Sequence, residues 1–538
     1  MSSLETLVVL LIVAPILLSL APIALGLRYD RVGWPVATIT TAGLFAAALA
    51  LASDVFVAEG TNREVARIHV LGNFDVPMGI ELVADPLSTL IALLITGTAF
   101  AVLLHTRTNG PRGNTFYTAY LLLVGGLLGI TLTGDVFNLF VFLEITSLAT
   151  YALVASGDGP ESAVAALKYL ILGTVAASLY LMGVGLLFMG TGTLNMADLA
   201  ATIPALEGQN VTLARAGLAF IVVGFAIKVA QWPLHSWQPD AYQHAPDGVT
   251  AVIASLVSTA SAYALGRVLF GVYGPEFIAS TPNASAVVVT IGCLSVVAGS
   301  TLAVIQRDVT RMLAYSSVSQ FGLIVAAYGV LTEQALSGAL IHLVGHGLTK
   351  AGLFVAVGWI AIAHGARTVD EYAGLAGRQP FVAGAIAILL LSLVGIPPSI
   401  GFVGKWYIAL GAVEAQAWPV AAVILFSTML TLAYVARLLE TMYVTPPLDS
   451  AVEPAHDTPA ATDGGRPGSG ASTSTDTGSD PSEPGLERTG ITTQKSVPLG
   501  TLAVLVLAAV LAVALGFAGE LFVDVLEPFL ESVLEVSS

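Results

Sequence analysis

Five lysines occur in the 538-residue chain, and four of them lie inside long apolar runs. An ionisable group at the centre of a membrane costs roughly 2.5–3.5 kcal/mol on insertion scales, so each such lysine needs a reason. A desolvated amine can lose its proton and regain it when a carboxylate or water approaches. Amines kept in apolar surroundings therefore indicate proton exchange. The four lysines are Lys168, Lys228, Lys350 and Lys405.

Glu144 and Lys228 are the first candidates for this exchange. Glu144 lies nine residues after Asp135, roughly 13 Å along a helix and near the middle of an apolar core about 30 Å thick. We expect it to set the charge of a nearby lysine; the alternative is a structural ion pair between helices. Lys228 precedes Pro233, and a proline breaks or kinks a helix. Because broken helices at membrane depth line polar cavities, we expect Lys228 to relay protons.

A second candidate set lies in the segment ALIHLVGHGLTKAGLF. His342, His346 and Lys350 are four residues apart, which places them on one helix face at steps of about 6 Å. Imidazoles titrate near neutrality and can pass protons through both ring nitrogens. Three titratable groups on one stripe of an apolar span predict a proton relay.

Lys405 follows a second helix break in LVGIPPSIGFVGKW, where Pro397 and Pro398 interrupt an apolar run. Two interrupted spans, each with its own lysine, are typical of an inverted repeat. The two predicted units are the fourth to eighth spans and the ninth to thirteenth, with the seventh and twelfth spans broken.

Lys168, His235 and His244 are weaker candidates. Lys168 either carries charge between Glu144 and Lys228 or reaches the membrane surface along its aliphatic stem. His235 and His244 flank the first break, where they form either a proton entrance or structural contacts.

Other chemistries have little support in the sequence. No glycine-rich nucleotide loop precedes a helix, and no nucleophile elbow is present. His342 and His346 have the spacing of a zinc pair, but HLVGH lacks the glutamate of a metalloprotease, so no metal site is predicted. The single cysteine, Cys293, excludes a disulfide framework. We expect no cofactor and no redox centre.

The elements that position these groups are predicted membrane spans. The chain is 56% hydrophobic and only 10% charged, whereas soluble proteins are about a quarter charged. We predict an all-α polytopic membrane protein with about fourteen spans of about 20 residues each. The first run has no basic residue before it, so we expect a retained helix and no cleaved signal. The spans are predicted to begin near Leu4, Trp34, Leu87, Tyr117, Val136, Ser162, Leu213, Val249, Ala286, Val309, Gln334, Phe381, Pro419 and Pro498.

The spans divide the chain into five segments. The stretch between the last two spans is rich in Ser, Thr, Gly, Pro and Asp, which predicts a disordered acidic linker. The polar loop from Ser53 to Ala84 is long enough for a small hairpin. The segments are 1–115 (helices 1–3 with an outer-face loop), 116–275 (first five-helix repeat), 285–444 (second repeat), 445–496 (linker) and 497–538 (C-terminal helix and amphipathic acidic tail).

The distribution of charge predicts orientation and setting. Eight arginines lie in short connections after odd-numbered spans and four on the opposite side, which places the linker in the cytoplasm of a cell-membrane protein and both termini outside. Acidic residues number 36 against 20 basic residues, and only five of the basic residues are lysines. A surface that carries Asp and Glu in place of lysine suits concentrated salt, which predicts a halophilic source. The net charge of -16 argues against nucleic acid as a partner.

Six motifs, in order along residues 80–440, resemble the antiporter-like proton-translocating subunits. These subunits are shared by respiratory NADH dehydrogenase and Mrp-type multisubunit sodium/proton antiporters. One motif, TGTLNMADLA, is most similar to the D-type member of the Mrp antiporter subunits. The motifs are GDVFNLFVFLEI, GTGTLNMADLA, IKVAQWPLHSWQPDAYQHAP, RMLAYSSVSQFG, HLVGHGLTKAGLF and PPSIGFVGKW.

The resemblance implies a role for each candidate. Glu144 would modulate Lys228, which would store and release the proton. His342, His346 and Lys350 would relay it along a central hydrophilic axis.

The same resemblance implies that Lys405 ends the path or couples it to a neighbouring subunit. It also reveals a departure from the family pattern K-x-x-x-Y-A-L-x-R. In this sequence, Thr259 occupies the position of the lysine in that pattern. A threonine can hold a water molecule but cannot carry charge. Either water and His244 bridge the gap, or the pathway is weakened or retuned.

Three functional interpretations remain open. The leading one is a D-type subunit of a monovalent cation (Na+)/proton antiporter. The second is a proton-pumping membrane subunit of a quinone-linked, NADH-type respiratory dehydrogenase, whose enzymatic activity would belong to partner subunits. The third is a structural membrane scaffold, suggested by Thr259. The expected partners are other membrane subunits, the lipid bilayer, protons and Na+.

Overall fold

The computed structural model describes residues 3–58, 66–74, 79–110, 113–447 and 496–534. Within these ranges, thirteen helices are long and apolar enough to cross a membrane, and Pro380–Val394 is a shorter apolar helix. The prediction of a helical polytopic membrane protein is confirmed. The count of fourteen spans and the inverted repeat stay predictions. Most of the predicted linker, residues 448–495, lies outside the described residues, as does the end of the acidic tail.

Helices make up nearly all of the described chain. A hairpin of two four-residue strands is the exception to the all-α prediction. The helices are α1 (Ser3–Leu18), α2 (Ala21–Gly26), α3 (Gly33–Ala58), α4 (Pro86–Asn109), α5 (Asn114–Leu132), α6 (Val136–Ala155), α7 (Pro160–Thr191), α8 (Met196–Thr202), α9 (Gln209–Lys228), α10 (Trp237–His244), α11 (Asp247–Val252), α12 (Ser258–Val268), α13 (Gly274–Ser280), α14 (Ala284–Ile305), α15 (Val309–Val330), α16 (Glu333–His364), α17 (Leu375–Arg378), α18 (Pro380–Val394), α19 (Ile400–Glu414), α20 (Trp418–Tyr443), α21 (Leu499–Phe517) and α22 (Gly519–Leu534).

The polar loop after α3 contains the predicted hairpin. Its strands are β1 (Arg67–Val70) and β2 (Glu81–Ala84), which pair antiparallel with Arg67 opposite Ala84. An ion pair of 2.7 Å between Arg67 Nε and Asp54 Oδ2 ties β1 to the end of α3. The hairpin is therefore anchored to the helical body.

The predicted starts of the spans agree with the observed helices to within four residues. The largest difference is at the seventh span, which begins at Gln209 and was predicted near Leu213. Several helices begin where the sequence supplies an N-cap. Asp85, Asp135 and Asp308 each accept a hydrogen bond from the backbone N–H three residues later. Such caps satisfy backbone donors that the helix leaves unpaired.

Two spans are interrupted. The helix α9 ends at Lys228, and α10 begins only at Trp237, after Pro233. The helix α18 ends at Val394, and α19 begins at Ile400, after Pro397 and Pro398. Proline lacks a backbone N–H and cannot continue the hydrogen-bond ladder, which accounts for both interruptions.

Two almost wholly buried spans form the centre of the molecule. One is α16. The other is the span 247–280, in which the π-helical turns Ile253–Val257 and Leu269–Tyr273 flank the regular helix α12. Turns of this kind occur frequently at functional sites. The titratable groups of the predicted relay lie on and around these two spans.

Candidate proton-transfer site

Glu144 and Lys228 meet between α6 and α9. The Lys228 Nζ lies 3.7 Å from Glu144 Oε1 and donates a hydrogen bond of 2.6 Å to Ser147 Oγ. The Lys228 side chain is 7% exposed and that of Glu144 is 27% exposed. The amine is thus buried with a hydroxyl as its close acceptor and a carboxylate as a looser counter-charge. This arrangement lets the ion pair separate without leaving the amine unpartnered.

His342, His346 and Lys350 are all buried on α16. The His342 Nε2 is 2.9 Å from Gln320 Oε1. The centres of the His342 and His346 rings are 6.4 Å apart. Among the described residues, neither ring nitrogen of His346 has a hydrogen-bond partner. His346 also packs edge-on against Phe321. The two imidazoles are neighbours at the spacing that the sequence predicted.

Lys350 is fully buried and is held by neutral groups. Its Nζ donates to the carbonyl oxygen of Leu313, at 2.7 Å, and to Ser316 Oγ. Within the described part of the chain, no carboxylate lies within ion-pair distance of Lys350. The amine is therefore surrounded by neutral groups, namely a carbonyl, a hydroxyl and the ring of Phe354, whose centre lies 5.8 Å from Nζ.

Lys405 lies on α19 but reaches back to the end of α18. Its Nζ donates to the carbonyl oxygens of Leu393 and Val394, at 3.1 and 2.9 Å. These carbonyls close the first half of the broken span, and the carbonyl end of a helix favours a cation. The preceding residue, Gly404, lies against His342, because a methyl group there would come within 2.7 Å of His342 Cβ. The backbone next to Lys405 is thereby packed against α16 at His342.

Lys168 is paired with an acidic residue that the sequence did not single out. Its Nζ lies 2.7 Å from Asp240 Oδ2 on α10, and its side chain is 37% exposed. Asp240 also pairs with Arg311, at 3.1 Å. The structure therefore does not place Lys168 as a bridge between Glu144 and Lys228. It joins a surface-side cluster that holds α10 against α7 and α15.

His235 and His244 lie on either side of the same cluster. The His244 Nδ1 is 2.9 Å from the Asp240 carbonyl oxygen, and the His235 ring is 5.9 Å from the ring of Tyr315. Neither is hydrogen-bonded to the buried lysines in the structure. Their role as a proton entrance stays a prediction.

Thr259 faces α16 beside the relay. Its hydroxyl is buried and has no partner among the described side chains and backbone. A methyl group at Gly347 would lie 3.5 Å from this hydroxyl, and Gly347 follows His346. Thr259 therefore packs against α16 at Gly347, the residue after His346, whereas His244 is engaged with Asp240.

Four side-chain partners were not predicted, and one of them is Ser316, which accepts a hydrogen bond from Lys350. Ser147, Gln320 and Asp240 bind Lys228, His342 and Lys168, respectively. Ser147 could have been found, because it lies three residues after Glu144 on one helix face. Gln320 and Asp240 could not be assigned from spacing, since each joins elements distant in sequence.

Comparisons with known proteins show the family to which the chain belongs. A relative from Desulforudis audaxviator, named as the N subunit of an NADH-quinone oxidoreductase, is 42% identical over 438 residues, which cover 80% of this chain and 86% of that protein. A relative from Alkalihalophilus pseudofirmus, named as the D-type subunit of a Na(+)/H(+) antiporter, is 32% identical over 393 residues, which cover 72% of this chain and 78% of that protein.

A chain of the solved Mrp complex from a Dietzia species has the same fold. The TM-score is 0.83 at 25% identity, and the match covers 100% of this chain and 98% of that one. The family described as NADH:quinone oxidoreductase/Mrp antiporter, TM, matches residues 133–431, more than half of the chain. The resemblance inferred from the six motifs is thus confirmed, and the protein belongs to this transmembrane family of NADH:quinone oxidoreductase and Mrp antiporter subunits.

Proposed function

We propose that the chain is a proton-translocating membrane subunit in which buried amines and imidazoles exchange protons. The observation that carries the proposal is that Lys228, Lys350 and Lys405 are all buried, each with an acceptor of different strength. A structural role does not explain three amines in apolar spans, since neutral residues would fill the same space at lower cost. Proton transfer through them does.

The leading proposal for the complex is a monovalent cation/proton antiporter of Mrp type, with this chain as its D-type subunit. It is supported by the similarity to a protein named for Na+/H+ antiport and by the match over the whole chain to the Mrp complex. Protons would move through this chain, and Na+ would be the coupled ion.

A respiratory complex is the second candidate. The relative named for an NADH-quinone oxidoreductase has the higher identity, 42%. Purification of the intact complex separates the two proposals. Iron–sulfur or flavin absorbance in the complex would favour the dehydrogenase, and its absence would favour the antiporter. Any redox reaction would take place on partner subunits.

Other membrane subunits are the proposed partners, and the face of α6 supports this. Glu144 is partly exposed beside the exposed side chains of Phe137, Val141 and Leu148. A carboxylate facing lipid at mid-membrane would be costly, so a neighbouring subunit is the better cover for this face.

The proposed setting is a cell membrane, with both termini outside and the linker 445–496 in the cytoplasm. The arginine distribution supports this orientation, and protease protection of the linker in sealed vesicles would test it. We also propose a halophilic source, on the basis of the 36 acidic and 20 basic residues. Transport that rises with molar salt would support that source.

Sodium-dependent pH change in vesicles carrying the full complex tests the proposed function. Glu144→Ala and Lys228→Ala should both reduce transport, with Lys228→Ala having the larger effect. Glu161→Ala, which removes an exposed carboxylate at the start of α7, is the matched control and should leave transport unchanged. Unaltered transport in Lys228→Ala would instead favour the scaffold interpretation.

A further inference from the structure

A polar stripe leads away from the relay along α12. Thr259, Tyr263 and Arg267 are four residues apart on this regular helix, so they share one face. Thr259 packs against α16 at Gly347, the residue after His346. The Tyr263 hydroxyl donates to the carbonyl oxygen of Thr131, at 2.8 Å, and accepts from Arg267 Nη2, at 3.0 Å. The stripe thus runs from the contact with α16 at Gly347, next to His346 in the chain, to the guanidinium of Arg267.

Arg267 is fixed from several sides. Its Nη1 lies 2.6 Å from Asp85 Oδ2, and both side chains are largely buried. Its guanidinium also stacks 5.4 Å from the ring centre of Tyr263 and 4.9 Å from that of Phe529 on α22. Burial raises the pKa of Asp85, but the charge of Arg267 and hydrogen bonds lower it further, so the net pKa lies below its usual value. The pair therefore stays ionised.

A cavity of about 490 Å³ opens next to Arg267. It lies between the hairpin, α8, α13 and α22, and we call it the hairpin cavity. It is large enough for several water molecules, since one water occupies about 30 Å³. The charged side chains in its lining are Glu81, Arg215, Arg267 and Glu276.

Arg267 is thus the stripe residue that reaches the cavity wall. A guanidinium is always charged and cannot give up a proton in a protein, so it cannot serve as a relay. Fixed positive groups in a narrow passage exclude protons and cations electrostatically. Among the polar groups of the stripe, Arg267 is the one suited to block proton movement.

We propose that Arg267 is an electrostatic seal that closes the buried relay against proton backflow from the hairpin cavity, with Asp85 as the positioning residue that holds it. The inference rests on the proposed proton path, because a seal requires a conducting axis behind it. It assigns a role to the Thr259–Tyr263–Arg267 stripe. The seal prevents a short circuit between the cavity and His346 without taking part in proton transfer itself.

The test is passive proton leak in proteoliposomes carrying the intact complex, under an imposed pH gradient and without Na+. Arg267→Gln should raise the leak about tenfold, the change expected when a barrier falls by about 1.4 kcal/mol. Asp85→Asn/Arg267→Gln should leak to a similar extent, and it leaves no buried unpaired carboxylate. Arg267→Lys keeps a positive charge and should remain tight. Arg215→Gln, on the same cavity but off the stripe, is the matched control.

Adding Lys350→Met separates a leak through the relay from a general defect. The leak of Asp85→Asn/Arg267→Gln should disappear when Lys350→Met is added, and the complex should still assemble. The proposed seal is overturned if the leak persists after Lys350→Met is added. It is also overturned if neither Arg267→Gln nor Asp85→Asn/Arg267→Gln leaks. Sodium-dependent transport in Lys228→Ala is scored separately, so a failed seal is distinguishable from a failed proton path.

Discussion

The two interrupted spans hold their amines in different ways. In the seventh span, Lys228 is the last residue of α9, and its amine meets Ser147 and the carboxylate of Glu144 on a neighbouring helix. In the twelfth, Lys405 is the sixth residue of the second half-helix, and its amine turns back to two backbone carbonyls of the first half. Both amines lie at a break, but only the first has a counter-charge among the described residues.

This difference indicates how each charge is controlled. A carboxylate on another helix can move, so separation from Glu144 would weaken the hold of Lys228 on its proton. The carbonyls at the end of α18 are fixed and neutral, so they favour a cation by a constant amount. The first break is therefore suited to control by a neighbour, and the second to accepting a proton whenever one arrives.

Removal of each amine is the strongest test of this contrast. Lys228→Met and Lys405→Met should each reduce transport by about a hundredfold or more, the scale of losing a proton-transfer group. Only Lys228→Met should also lower the stability of the complex clearly, because it leaves Glu144 without its counter-charge. Removing one partner of a buried pair costs about 3–5 kcal/mol, and the partial exposure of Glu144 reduces that figure.

Transport in vesicles and thermal unfolding of the intact complex measure the two effects. The double variant Glu144→Gln/Lys228→Met is the control, and it should regain stability without regaining transport. Equal stability loss in Lys228→Met and Lys405→Met would contradict the proposed contrast, in which Lys228 has a carboxylate as counter-charge and Lys405 has only the carbonyls at the end of α18.

Neutralisation of the carboxylate alone should have a smaller effect. Glu144→Gln keeps the shape of the side chain and leaves Lys228 bonded to Ser147. We expect transport to fall about tenfold, which corresponds to about 1.4 kcal/mol in the barrier. The transport rate should also become less sensitive to partner subunits, since the movable charge is absent. No single side-chain change can do the same at Lys405, whose acceptors are backbone.

The sequence was sufficient to predict the spans, the breaks and the hairpin. Helix starts are encoded locally, by caps such as Asp85 and by apolar runs of membrane length. The spacing of His342, His346 and Lys350 likewise required only one helix. These features depend on residues close together in the chain.

The acceptors of the amines required the folded structure. The carbonyls that hold Lys405 carry no side-chain signal, and Asp240 meets Lys168 and Arg311 only after three helices pack. The stripe from Thr259 to Arg267 was readable as an i, i+4 pattern, but its meaning depended on Asp85 and the hairpin cavity. Long-range contacts of this kind leave no periodicity in the sequence.

Substitution of Thr259 tests whether the proton path continues from His342, His346 and Lys350 toward α12. Thr259→Val has nearly the same volume but lacks the hydroxyl, which is buried against α16 at Gly347. If that hydroxyl orders water between the imidazoles and Lys228, transport should fall about fivefold, or about 1 kcal/mol in the barrier. Thr259→Ser retains the hydroxyl and should be close to the wild type. Equal transport in the two variants would show that the path bypasses α12.

Ser147→Ala should weaken the hold on Lys228 without removing any charge. The hydrogen bond from Lys228 Nζ to Ser147 Oγ is lost, at a cost of about 1 kcal/mol. The amine should then turn toward Glu144, which lies 3.7 Å away, and bind it more tightly. We expect a two- to threefold slower transport, roughly 0.5 kcal/mol, and a pH profile shifted to higher pH. Ser156→Ala, at the end of the same helix, is the control.

Lys168→Met should have the smallest effect, although this lysine also lies in an apolar span. Its amine pairs with Asp240 and its side chain is 37% exposed, so the pair contributes about 0–1 kcal/mol to stability. Arg311 remains to neutralise Asp240 in the variant. Transport should therefore stay within about twofold of the wild type, less than 0.5 kcal/mol in the barrier. A loss as large as that of Lys228→Met would mean that Lys168 leaves Asp240 during transport and joins the first break, and the contrast between paired and relay lysines would have to be redrawn.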